Sequence, residues 1–105
     1  DKGGIAGCLQ DIALLHYNEG DNHQAISFLT RAQTLLKEVQ DIDALATCVM
    51  HLGAALAAQN KHTEAMQQLS AALNVGNEVA GGWANKAEAL TLLGASQAAL
   101  GQKKE

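Results

Sequence analysis

Cys48 and His51 stand three residues apart, a spacing that sets two metal ligands on one face of a helix. A closed zinc site needs two more ligands. Cys8, the other cysteine, occupies the position equivalent to Cys48 one repeat earlier. Stacked helical units are offset by about a helix diameter, roughly 10 Å. A disulfide requires Cα atoms within about 7 Å. Both cysteines are therefore expected to act as small buried hydrophobes. His16 is expected to pack in a core position, and His23 and His62 to lie near turns. Asp41, Asp43, Glu78 and Glu88 are spaced like helix caps and solvated faces, not like a paired-carboxylate site. Gly3-Gly4 and Gly81-Gly82 lack the Lys-Ser/Thr that completes a phosphate loop. Ser27, Ser70 and Ser96 have no neighbouring base in the sequence pattern. The residues imply no enzyme, no metal and no cofactor.

The elements that carry these residues are helical. The chain has 105 residues, one domain's worth, and is 48% hydrophobic but only 3% aromatic, so its core must be built mainly from Ala and Leu. Proline is absent while Ala, Leu, Gln, Glu and Lys abound, which favours helix throughout. Five helices are predicted at about 4–19, 22–39, 42–59, 62–79 and 84–101. Leu45, Val49, Leu52 and Leu56 form one stripe at helical spacing, and so do Ala25, Leu29, Ala32 and Leu36. The stripes pause at Glu19–Asn22, Gln59–Lys61 and Gly81-Gly82. Gly20 suits the left-handed residue that ends a helix, and Asn60 tolerates it. Asp21, Asp41 and Thr63 are the expected caps of the helices that follow.

Charge narrows the partners. The net charge is −4 and the seven basic residues are scattered, which argues against nucleic acid. The one short basic cluster, Lys103-Lys104, is followed by Glu105. No apolar run is long enough to span a membrane, and no signal-peptide pattern is present. Asp1 at the start is read as the mark of an excised or processed fragment. Two cysteines make no disulfide framework, so a reducing intracellular compartment, cytoplasm or organelle stroma, is the default expectation.

The helices repeat. Leu52-Gly53 and Leu93-Gly94 lie 41 residues apart, and a weaker copy, Ile12-Ala13, lies 40 residues upstream of the first. The units span about 4–40, 41–80 and 81–105, the last incomplete. Such a unit gains stability by stacking on its neighbours.

In register, the middle unit carries Val49, Leu52-Gly53, Leu56, Asn60, Glu64-Ala65, Leu69 and Ala72. The first carries Leu9, Ile12-Ala13, His16, Gly20, Ala25, Leu29 and Ala32; the third carries Leu90, Leu93-Gly94, Gln97 and Gly101. This pattern of small and large residues resembles the tetratricopeptide repeat (TPR) family. The units are longer than that family's usual 34 or so residues and lack its closing proline. The greater length resembles the long-repeat, kinesin-light-chain-like and LGN-like branches, as does the segment Glu78-Val79-Ala80-Gly81-Gly82 before a new Leu-Gly helix. The resemblance implies an all-α fold of antiparallel helix pairs, stacked as a short right-handed TPR solenoid of about two and a half repeats. Gly53, Ala65 and Ala72 are expected where helix backbones come closest.

The resemblance further implies that the first helix of each unit lines a concave wall. Carried over position by position, that wall presents Gln10, Asp11, Leu14 and Tyr17, then Thr47, Met50, His51, Ala54 and Ala57. The third unit adds Glu88, Thr91, Leu92, Ala95 and Ala98. It lacks the Lys, Arg and Asn with which some members clamp a C-terminal carboxylate. What remains is an alanine floor rimmed by Leu14, Tyr17, Met50 and Leu92. Either it receives a helix or peptide of a partner protein, or the alanines pack against one another. Trp83 either plugs the gap between the second and third units or is an exposed contact. The expected function is a protein–protein interaction module acting as scaffold, adaptor or regulatory tether. The alternatives are a spacer, self-association through the fifth helix, or the regulatory arm of a larger enzyme or transcription factor.

Overall fold

The computed structural model describes residues 1–104, with side chains through Gly101. Glu105 and the side chains of Lys103 and Lys104, the basic end noted above, lie outside the described residues. The described residues form five helices and no strand: α1 (Lys2–Asn18), α2 (Asn22–Val39), α3 (Ile42–Ala58), α4 (His62–Gly76) and α5 (Lys86–Lys104).

Local chemistry explains most of the boundaries. The carboxylates of Asp1, Asp21 and Asp41 accept from the backbone N–H groups of Gly3, Gln24 and Ala44 at 3.1–3.2 Å, capping α1, α2 and α3. Gly20 (φ 84°) and Asn60 (φ 63°) take the left-handed conformation in the turns after α1 and α3. Gln40 (φ 59°) does the same after α2, where no glycine or asparagine announces it. Thr63 is not the cap of α4. That position belongs to Lys61, whose side chain accepts no backbone hydrogen bond, and Thr63 already lies inside the helix.

α4 also ends three residues earlier than its pattern predicts. After Gly76 the chain runs through successive turns, and Gly81 (φ 82°) and Gly82 (φ 95°) reverse it. The reversal lays the Trp83 ring on Gly76, where a Cβ would run into the indole. Trp83 is only 6% exposed, and its indole N–H donates to the Thr47 hydroxyl at 3.1 Å. The Asn85 amide donates to the same oxygen, also at 3.1 Å, filling both its acceptor sites. Trp83 is thus a plug between α3, α4 and the start of α5.

Connections of two or three residues make α1–α2, α2–α3 and α3–α4 antiparallel neighbours. Each helix packs on the next, and α3 also touches α5. Two buried clusters result. One joins Leu9 and Ala13 of α1 to Leu29 and Leu36 of α2 and to Cys48, Leu52 and Leu56 of α3. The other joins Val49 and Met50 of α3 to Leu69 and Ala72 of α4, to Trp83, and to Ala89 of α5. α3 belongs to both, which is why it is apolar nearly all round, as a buried helix must be. Gly53 lets α4 approach: a Cβ there would stand 2.7 Å from Leu69 Cγ and 3.3 Å from the Ala65 carbonyl oxygen. Ala65 and Ala72 are fully buried in the same seam.

Candidate partner-binding face

The residues expected to contact a partner fall on one stripe of each odd-numbered helix. Gln10, Leu14 and Tyr17 follow i, i+4, i+7 on α1; Met50, Ala54 and Ala57 repeat the spacing on α3; Thr91 and Ala95 repeat it on α5. His51 and Leu92 lie one position beyond. The common register comes from the repeat, but the three helices differ in how much of the stripe stays open.

On α1, Gln10, Leu14 and Tyr17 are half-buried. On α5, Thr91 and Ala95 are exposed. Met50 corrects the expectation. It is 1% exposed and sits inside the second cluster, against which Leu92 packs, so it is a core residue and not part of a rim. The reason is that α3 is the helix that α5 reaches across α4 to touch, whereas Gln10, its equivalent on α1, lies in the first unit. Ala54 is 9% exposed, leaving a narrow window. His51 and Ala57 keep α3 partly accessible.

His51 is the polar centre of this face. Its Nδ1 is buried and finds no hydrogen-bond partner among the described residues. Burial pushes the imidazole below its ordinary pKa of 6.5, with the Glu88 carboxylate pulling the other way. The ring is therefore neutral at pH 7, with one nitrogen unsatisfied.

The remaining titratable candidates separate. Cys48 is fully buried and its thiol donates to the Leu29 carbonyl at 3.3 Å; burial pushes its pKa up to about 12. Cys8 departs from expectation: it is exposed. It occupies the same repeat position as Cys48, but α1 has no helix packed on that side within the described residues. Both thiols are free. No group of three His, Cys, Asp or Glu side chains is placed to hold a metal among the described residues. His16 stacks flat on Phe28 at 5.5 Å between ring centroids, over which Arg31 also lies.

One pairing escaped the sequence. His62 Nδ1 stands 3.3 Å from Ser96 Oγ, joining α4 to α5 across 34 residues. Ser96 is 1% exposed and His62 half-buried, so the pair is a part-buried cross-link between helices and not a presented nucleophile. The one signal for it was that Ser96 replaces an apolar residue of the stripe, at the position of Leu15 and Ala55.

A recess of about 370 Å³ opens elsewhere, between α1 and α2, lined by Ile5, Leu9, Arg31, Thr34 and Leu35. None of the expected contact residues lines it. No helix among the described residues is long and apolar enough to cross a membrane. Comparison with protein-family models and with curated proteins gives no match to this chain.

Proposed function

We propose that this chain is a non-catalytic protein–protein interaction module: a short solenoid of the tetratricopeptide type that holds a partner's helix or peptide. The carrying observation is that Gln10, Met50 and Thr91 share one repeat position, as do Leu14, Ala54 and Ala95. That register aligns one stripe on three helices, interrupted on α3 where Met50 is buried. The molecule's extents of 49 × 31 × 18 Å support stacking. α3 contacts α5 as well as α4, which fits helix pairs stacked in two layers. Antiparallel neighbours and the glycine approach at Gly53 fit the same reading.

The contact surface is then Gln10, Leu14, Tyr17, His51, Ala57, Thr91 and Ala95, with Ala54 a narrow opening and Leu92 a half-buried edge. Tyr17 and Leu14 are the apolar anchors. The test places a photo-crosslinking residue at Gln10 or Thr91, with the exposed Ser70 of α4 as control. A partner trapped from Gln10 and Thr91 but not from Ser70 supports the face. Equal trapping from all three refutes it.

A second reading, self-association through α5, has its own observation. Leu90 is 49% exposed, and nothing lies within 4 Å of a Cβ placed on Gly94. Leu90→Glu is the cleaner probe than Leu92→Glu, because Leu92 packs against the second cluster. A monomer at high concentration ends this reading.

A further inference from the structure

The face proposed above runs over all three units, unlike the outer sides of α1 and α5, and its charge is one-sided. The stretches of α1, α3 and α5 that carry it, residues 7–18, 43–58 and 88–98, hold three carboxylates and no lysine or arginine. The carboxylates are Asp11, Asp43 and Glu88, one on each helix.

The helical register sets all three along the stripe. Asp11 is i, i+3 from Leu14 and shares its repeat position with His51 and Leu92. Asp43 leads Thr47, Met50 and Ala54 at i, i+4, i+7 and i+11. Glu88 precedes Thr91 and Ala95 by three and seven residues, and its charge reaches the His51 imidazole across the α3–α5 contact. All three are exposed, and none has an ion-pair partner among the described residues. His51, neutral at pH 7, offsets none of this charge. The described cations lie elsewhere. Arg31 and Lys37 belong to α2, and Lys61 to the turn before α4. Lys2 is held by Glu38 at 2.7 Å, and Lys86 takes the repeat position of Ile5 and Leu45, off the stripe. Asp43 and Glu88 stand in first turns, where the helix dipole alone favours a carboxylate. That gives no reason for Asp11 at mid-helix, or for a stripe without one lysine or arginine.

We infer that the segment this face receives is basic: a stretch of a partner protein that presents lysine or arginine to Asp11, Asp43 and Glu88 around its apolar contacts with Leu14 and Tyr17. This chemistry rests on the interaction-module reading above and specifies its partner. An acidic segment meets like charge on every one of the three helices, and so do the phosphates of a nucleic acid.

Two short labelled amphipathic peptides test it on the full chain, one of leucine and lysine, the other with glutamate in place of every lysine. The lysine peptide should bind at least about tenfold more tightly than its twin. Asp11→Asn, Asp43→Asn and Glu88→Gln together should weaken it about tenfold. Glu19→Gln, Glu64→Gln and Glu78→Gln, an equal loss of charge off the stripe, should weaken it about twofold at most. Circular dichroism checks that both triple variants keep the native helix content. Equal binding of the two peptides, or equal weakening by the two triple variants, overturns the inference. So does binding of neither peptide at millimolar concentration, or a dimer that the lysine peptide dissociates, since a second copy then occupies the face. The interaction module itself stands or falls separately. A partner trapped from Gln10 and Thr91 through a segment free of lysine and arginine refutes the basic chemistry alone, whereas trapping that is equal from Ser70 refutes the face.

Discussion

Replacing Gly76 by Ala should be harmful or helpful depending on Trp83, and the sign reversal is the test. In the native chain an alanine Cβ at Gly76 would run into the indole, so the ring must shift within a closed seam. Overpacking of this kind costs about 1–3 kcal/mol, against which alanine in place of helical glycine returns at most about 1 kcal/mol at the end of a helix. Trp83→Ala alone empties a site where the ring is 6% exposed, and aromatic-to-alanine changes in cores cost about 3–5 kcal/mol. The Thr47 hydroxyl keeps its second donor, Asn85, so the lost hydrogen bond adds little. In the Trp83→Ala background the added methyl meets open space. Gly76→Ala should then be neutral or stabilising by up to about 1 kcal/mol. The coupling energy of the double-mutant cycle is therefore about 1–3 kcal/mol. Urea unfolding followed by circular dichroism at low temperature measures all four proteins, since the one tryptophan is lost in two of them. If Gly76→Ala costs the same with and without Trp83, the ring does not rest on Gly76 and the packing of Trp83 described above is wrong.

Three more outcomes follow from the same reasoning. Gly53 and Gly94 share a repeat position, yet Gly53→Ala should destabilise by about 1–3 kcal/mol against Leu69, whereas Gly94→Ala, with nothing within 4 Å, should stabilise by up to about 1 kcal/mol; denaturant midpoints decide it. Cys48 titrates near 9.0 when unfolded but at about 12 in the fold, so its contribution is intact below pH 9 and falls by about 1.4 kcal/mol per pH unit above it. Cys48→Ala, though less stable throughout, should lose that alkaline slope. His51 has the opposite sign: its pKa is lowered on folding, so the unfolded chain binds the proton first and stability drops as pH falls below 6.5. An acid limb of the stability profile that is identical in His51→Gln would remove this histidine from the explanation.

The helices were legible because their signals are local. Asp21 and Asp41 precede apolar stripes and cap them, and Gly20 and Asn60 stand where left-handed backbone is needed. Lys61 shows the limit: a helix joined by a tight turn to a packed neighbour starts where the turn puts it, even when a better capping residue waits at Thr63. The repeat also assigned each residue its side of a helix, and the small-residue seam at Gly53, Ala65 and Ala72 came from that. It could not say whether that side is covered. Cys8 and Cys48 are the same residue at the same repeat position, one exposed and one buried, because α2 lies over only the second. Met50 and Gln10 differ for a like reason, with the second cluster closing over Met50. The His62–Ser96 contact joins residues on neighbouring helices, and no spacing within one helix reveals such a pair.

The double membership of α3 has a consequence for how the molecule comes apart. Loss of α1 uncovers the first cluster but leaves the second intact, and loss of α5 does the reverse. Opening can thus begin at either end and travel inward one helix at a time, in steps smaller than the whole. α3 has no cheap route of its own. Its amides exchange with solvent only when both neighbours have let go, so a protease working inward from α1 or α5 meets its last resistance at the same seventeen residues, Ile42–Ala58.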